Sequence, residues 1–348
     1  MGTEMLLAQR PAEAETVKRP TAGRVLSLDA LRGLAIVGML LVDNRGSSAM
    51  PSQFVHSTWN GLRIADVVFP VFLFAVGMSM EMSSRTDNPR AVVVRALKLV
   101  ALGCVLVAAV SHHVALSAGV LQHIAAAYVL CWLILRLPRR AQTPVALGVL
   151  GGVCAAYAFV HLPGVPGGYE SGRTVGEWFT VHVLHMTFSA ETPQSYLPSA
   201  VSVFLGVLAA RRFRRGIGSL ARLAAVCIAA GLALTPLVPL NKRLWTPSYV
   251  LLTAGIAAAL FLAMHIAIDG HRLRLAPLVT MGRNAVVVFA FSEVVFRAVL
   301  AGVRPAVVTT FERATGPTLA AITYALLSIV AAWALTARLE RRGVTIRI

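Results

Sequence analysis

Ten apolar runs, most of them near the ~20 residues a helix needs to cross a bilayer, divide this sequence between residues 26 and 337. They lie at 26–44, 65–81, 92–111, 118–136, 144–161, 197–210, 219–238, 247–268, 277–299 and 316–337. Of the 348 residues, 57% are hydrophobic and 14% charged, against about a quarter charged in an ordinary soluble domain. One soluble core cannot use so much apolar surface. Runs of this length and composition read as helices that cross a bilayer. The expected fold is therefore all-α, a polytopic membrane helix bundle of about ten transmembrane helices. The first and sixth runs are short, and the first carries Asp29 and Arg32 at its start and Asp43 and Asn44 at its end. Both are expected to pack inside the bundle.

A net charge of +17 raises the question of nucleic acid, which the distribution of the charge answers. The basic residues form short clusters between apolar runs, such as "RLPRR", "RRFRR" and "RLERRGVTIRI". No zinc-finger, helix-turn-helix or aromatic-interleaved basic pattern accompanies them, so no nucleic-acid partner is expected. With the N-terminus in the cytoplasm, 24 of the Lys and Arg fall on the cytoplasmic side and 8 on the outer side. That asymmetry follows the positive-inside rule and puts both termini in the cytoplasm. Residues 1–24 lack the apolar core of a cleavable signal peptide and read as a disordered cytoplasmic tail. Residues 25–338 read as the transmembrane domain and 339–348 as a C-terminal cytoplasmic tail. Trp59, Trp178 and Trp245 then fall at the outer interface, as belt residues do. Cys104, Cys131, Cys154 and Cys227 all sit in apolar runs without metal spacing, and read as buried hydrophobes. No metal is expected.

Ionisable groups at the edges of spans are costly and usually functional. Asp43 and Asn44 end the first run, His56 lies in the following outer loop, and Asp66 begins the second run. Antiparallel neighbours bring these four groups to one end of the bundle, where an imidazole beside a carboxylate suits general-base chemistry. The competing reading makes Asp66 a helix cap and His56 a solvated loop residue. Within spans stand Gln122 with His123, and Arg283 with Asn284. Glu293 and Arg297, four apart, can neutralise each other. Arg32 and Arg283 at cytoplasmic span ends can hold phosphates or reach lipid headgroups.

"RVLSLDALRGLAIVGMLLVDNRG" followed by "HSTWNGLRIADVVFPVFLFAVGMS" resembles the catalytic domain of the heparan-α-glucosaminide N-acetyltransferase family and its bacterial relatives. The likeness continues in order through "GVLQHIAAAY", "YLPSAVSVFLGVLAA", "PLNKRLWTPSYVLLTAGI" and "MGRNAVVVFAFSEVV", over about residues 24–300. The resemblance implies a ten-helix membrane acetyltransferase that takes acetyl-CoA from the cytosol and acetylates an amino sugar or related acceptor on the far side. It puts the family's active-site histidine on His56 and its catalytic asparagine at Asp43 or Asn44, where a Val-Asn pair is replaced by Val42-Asp43-Asn44. A family arginine is replaced by His123. The donor's phosphates are expected near Arg32 and Arg283, and its arm along Asn284 and Gln122. The expected location is the cell membrane, and a homodimer is compatible with the family. His56 serves either as general base in direct transfer or as an acetylated nucleophile. Two other classes remain open at this point: a multispan transporter, and a membrane O-acyltransferase of a polysaccharide or natural product.

Overall fold

The computed structural model of the chain describes residues 25–112 and 118–344. The tail 1–24 and the last four residues of the 339–348 tail lie outside the described residues. The described residues form thirteen α-helices, α1 (Leu26–Asp43), α2 (Ile64–Met82), α3 (Pro89–Ser111), α4 (Val120–Arg136), α5 (Arg139–Phe159), the short α6 (Val175–Trp178), α7 (Tyr196–Arg214), α8 (Ile217–Leu234), α9 (Pro247–Met264), α10 (Ala276–Arg283), α11 (Ala285–Phe291), α12 (Arg304–Thr315) and α13 (Pro317–Arg341). Among the described residues there is no β-strand, only an isolated bridge between Leu162 and Val165. Each of the ten apolar runs coincides with helix. Among the described residues six helices are long and apolar enough to cross a membrane: α2, α3, α5, α8, α13, and α9 with its continuation to Gly270. The pair α10–α11 makes a seventh if it is one broken span.

The order of burial separates an inner layer from an outer one. In α2, 72% of the apolar window is buried, whereas in α5 and α8 the share is 22%. The outer helices turn Leu97, Val105, Leu147, Val226 and Leu232 outward, all exposed, as a lipid-facing surface requires. Around α2 lie α1, α4, α7 and α9, and their buried side chains form the main core.

Small residues set how closely the inner helices approach. Apolar side chains gain little by leaving lipid for one another, so close backbone packing supplies the association energy. A Cβ on Gly77 would overlap the carbonyl of Val203, and one on Gly206 would overlap the carbonyl of Phe74, so α2 and α7 cross backbone against backbone. Gly33 meets Leu278 and Gly282 meets Asp29 in the same way where α1 crosses α10.

The ninth run, 277–299, is not one straight span. Its two halves are bent by 83° at Asn284. The Asn284 N–H bonds to Met281 O at 3.1 Å, and the Asn284 side-chain amide donates to the freed carbonyl of Thr280 at 3.1 Å. An Asn side chain competing for backbone groups is a physical cause of such a break. Beyond it, Ser292–Ala298 widens into a π-helical turn, where Glu293 and Arg297 pair at 2.7 and 2.9 Å. Trp245 departs from the expected interfacial belt: it is fully buried, edge-on to Phe69 and Tyr249.

Candidate active site

The junction between the loop after α1 and the start of α2 resolves into a wired corner. Asp66, in the first turn of α2, is fully buried. Its Oδ2 accepts from the backbone N–H of Arg63 at 3.2 Å and of Ser57 at 3.1 Å. Its Oδ1 lies 2.9 Å from His56 Nδ1. Asp66 thus caps the start of α2 through one oxygen and meets the imidazole through the other. Pro70, four residues on, has no N–H to bond the Asp66 carbonyl, and the Tyr249 hydroxyl of α9 donates to that carbonyl at 2.6 Å. The Arg63 guanidinium closes the corner by donating to the carbonyls of Val55 and His56, each at 3.3 Å.

A second loop, 239–246, forms the facing wall. Gly61 N–H donates to Leu240 O at 2.8 Å, and the Asn241 amide donates to Asn60 Oδ1 at 2.9 Å. Asn241 Oδ1 in turn accepts from the Leu244 N–H at 2.9 Å. The turn ends at Trp245, which adopts a left-handed backbone, φ 53°. That conformation is uncommon for a bulky residue and persists where packing over-determines it. Lys242 is thereby held almost fully buried, with its Nζ 3.4 Å from either ring nitrogen of His56.

Between these walls opens a cleft with about 360 Å³ of empty space including its solvent-filled mouth, lined by Asp43, His56, Glu191 and Lys242 over a floor that includes Met39 and Phe69. The imidazole is partly exposed there, its side chain 43% accessible against 0% for Asp66. With Nδ1 donating to the Asp66 carboxylate, the lone pair of a neutral ring sits on Nε2. The corner thus holds an oriented base with an ammonium beside it. Asp43 and Asn44 part company at the end of α1. Asp43 faces the cleft, within electrostatic reach of Lys242, His56, Glu191 and Arg297. Asn44 is buried and donates to Ser292 Oγ at 2.7 Å and Ser328 Oγ at 3.1 Å, joining α1 to the π-helical turn and α13.

At the opposite end of α1, about 16 Å away at 1.5 Å per residue, Arg32 and Arg283 converge on one carboxylate. Arg32 Nη1 lies 3.0 Å from Asp29 Oδ1 and Arg283 Nε 3.5 Å from Asp29 Oδ2. Arg283 also lies 3.5 Å from Glu340, and Arg32 donates to Ser79. Gln122 stands apart from this end, packed against Gly103 and Gly119 beside His123, which bonds Ser199 at 2.8 Å. Asn284 is buried at the helix break.

The family model for the catalytic region of heparan-alpha-glucosaminide N-acetyltransferase matches residues 24–243. The chain belongs to that family. It is similar to the mouse protein named heparan-alpha-glucosaminide N-acetyltransferase, with 25% identity across 80% of this chain and 54% of the mouse protein. Its likeness to the human protein of the same name is 26% identity across 78% of this chain and 53% of the human one. The chain spans about half the length of these curated relatives. The heparan-alpha-glucosaminide N-acetyltransferase match runs from just before α1 to just past Lys242, so every residue around the cleft lies inside it, and Arg283 and Asn284 lie beyond it.

Of the residues singled out in the sequence, the fold gathers Asp43, His56 and Asp66 at one corner and Arg32 with Arg283 at the other end. It directs Asn44 into helix packing and separates Gln122 from the two arginines. Lys242 and Glu191 were missed. Lys242 lies in the block "PLNKRLWTPSYV" and in sequence reads as no more than one outer-side charge; Glu191 is one of many polar residues in the 162–196 segment. Nothing in their local pattern marks them, because each reaches the cleft from a loop more than a hundred residues from His56.

Proposed function

We propose that the chain is an integral membrane acetyltransferase, moving an acetyl group from cytoplasmic acetyl-CoA to an amino sugar or related acceptor at the extracytoplasmic face. The carrying observation is the corner itself: His56 is fixed through Nδ1 by buried Asp66 while Nε2 faces a cleft shared with Lys242 and Asp43. In this reading residues 25–338 span the membrane ten times and both termini are cytoplasmic, as the distribution of Lys and Arg favours. Arg32 and Arg283 attract the donor's phosphates at the cytoplasmic end, exchanging part of their pairing to Asp29 and Glu340 for phosphate oxygens. The donor's thioester supplies the activated acetyl group. His56 takes a proton from the attacking amine through Nε2. Asp66 keeps the ring in that tautomer. Lys242 donates to the oxygen on which negative charge develops. Direct transfer needs no acetyl-enzyme, and it is the route this arrangement serves most simply.

The test begins with the donor. In detergent-purified protein, acetyl-CoA should raise the melting temperature with dose, as any ligand of the folded state does, in wild type and His56→Ala alike. Thiol release from acetyl-CoA in the presence of glucosamine should then fall about 10²–10⁴-fold in His56→Ala. No stabilisation of wild type at millimolar acetyl-CoA would overturn the proposal. Orientation is checked with single cysteines in a background lacking the native four: Ser52→Cys should label with an impermeant reagent from outside, and Arg338→Cys should not.

A further inference from the structure

A second hollow lies on the flank of α5, an outer helix with 22% of its apolar window buried. It has about 520 Å³ of empty space including its open side. Val153, Ala156 and Tyr157 of α5 form one wall. Val175 and Phe179, on α6 and the π-helical turn Phe179–Val183 that continues it, form the other. The two walls are locked together, because a Cβ on Gly176 would overlap the Tyr157 ring. Gln194 completes the lining. Next to these residues in the chain stand Phe159, Val181, Val183 and Leu197, all exposed. A large apolar rim of this kind is costly in water and at home in hydrocarbon.

Two contacts place this groove beside the His56 cleft. At the start of α5, Gln142 accepts from Arg211 near the C-terminus of α7 at 2.8 Å, so the groove, near the other end of α5, lies toward the N-terminus of α7. There Gln194 joins the two spaces. Its Oε1 accepts from Thr180 Oγ1 at 3.0 Å, just past Phe179. Its Nε2 donates to the carbonyl of Arg243 at 3.4 Å, and Arg243 adjoins Lys242 of the cleft. Glu191, three residues before Gln194, also lines the cleft, and three residues span at most about 10 Å. Groove and cleft share one wall.

We infer that the groove seats the first carbons of a hydrocarbon tail carried by the acceptor, so that this site acts on a lipid-linked acceptor held in the membrane. The inference deepens the acyl-transfer reading and rests on it for the reaction. An acceptor free in solution reaches the cleft from its mouth and has no use for an apolar groove one side chain away. A tail already in hydrocarbon gains little by entering the groove, since lipid is as apolar as the wall. The gain is in position: with the tail seated, the headgroup meets the cleft as an intramolecular partner, at an effective concentration in the millimolar range. The α5 wall at 153–157 is one helical turn, about 6 Å long. Only the part of the tail nearest the headgroup is therefore seated, and the rest runs into the bilayer.

The full chain in nanodiscs of phosphatidylethanolamine and phosphatidylglycerol decides the inference. Dodecyl glucosaminide carrying a diazirine on the third carbon of its tail is the probe. On irradiation it should label peptides containing 153–157 and 175–179. Excess dodecyl glucosaminide should displace that labelling, and dodecanol at equal membrane loading should not. Ala156→Phe fills the groove from α5, and Val175→Phe fills it from the facing wall. Each should lower groove labelling about tenfold and cut the preference in kcat/KM for dodecyl over methyl glucosaminide by a similar factor. Ala155→Phe, on the exposed side of the same helix, should change neither. Three results would overturn the inference: labelling that misses the groove, equal displacement by dodecanol (a groove filled by any bulk lipid chain), or an acceptor preference within twofold of wild type in both filling variants. Groove labelling displaced by the glucosaminide alone, with neither sugar acetylated, would count against the acyl-transfer reading and leave the tail site standing.

Discussion

Asp66→Asn separates structure from chemistry at a single atom. The two backbone donors, Ser57 and Arg63, both bond Oδ2, and His56 Nδ1 meets Oδ1. An asparagine that places its carbonyl oxygen where Oδ2 sits keeps both backbone bonds and puts its NH₂ against the imidazole. The cap then loses only its charge at the start of α2, about 0.3–1 kcal/mol at a helix N-terminus. The imidazole suffers far more. Facing a donor, Nδ1 must accept, so the proton moves to Nε2, and the nitrogen in the cleft is no longer a base. A tautomer swap of this kind costs about 10⁴-fold in a serine protease, and general-base catalysis as a whole is worth about 10²–10⁴-fold. Asp66→Asn should therefore melt within a few degrees of wild type while acetyl transfer to glucosamine, followed as thiol release, falls at least a hundredfold. Asp66→Ala leaves two backbone N–H groups without an acceptor, each costing about 1–3 kcal/mol, and should lose both stability and rate. A rate for Asp66→Asn within threefold of wild type would refute the argument that Asp66 sets the tautomer of a catalytic His56.

Two further substitutions probe the packing that carries the site. Gly206→Ala puts a methyl against the backbone carbonyl of Phe74, which cannot swing away, and should cost about 1–3 kcal/mol. Gly151→Ala on α5, where a Cβ meets nothing within 4 Å, should be neutral or gain about 0.5–1 kcal/mol from helix propensity; equal melting temperatures for the pair would show that the α2–α7 crossing does not depend on close contact. Asn44→Ala removes the bonds to Ser292 and Ser328 and should lower stability by about 0.6–1.7 kcal/mol per bond while changing the transfer rate only a few-fold; a hundredfold loss would move Asn44 from packing into the chemistry.

The helices were legible in the sequence because hydrocarbon is an unforgiving solvent for backbone polar groups. Length and apolarity alone therefore located the ten apolar runs that are helical in the structure, but not the short α6 or the polar α12. His56 and Asp66 were legible as a pair because they lie ten residues apart across one turn into a helix, where local geometry leaves few alternatives. In sequence, capping and orienting are rival readings of Asp66, and only the structure gives one oxygen to each. The break at Asn284 was not legible: an Asn within an apolar run has several possible partners, and the choice of Thr280 O depends on how α10 crosses α1 at Gly33 and Gly282. Trp245 carries the composition of an interfacial residue, and its burial against Phe69 and Tyr249 is a tertiary fact. So is the cleft. Lys242 and Glu191 meet His56 and Asp43 through loops far apart in the chain, and periodicity encodes which face of a helix is apolar, not which loop ends beside which helix. The sequence determined a membrane-type helical bundle with an imidazole–carboxylate corner. Tertiary packing alone decided that Asp43 rather than Asn44 faces that corner, and that a buried ammonium faces it too, because a one-residue step along a helix turns a side chain by about 100° and only neighbouring helices fix what lies there.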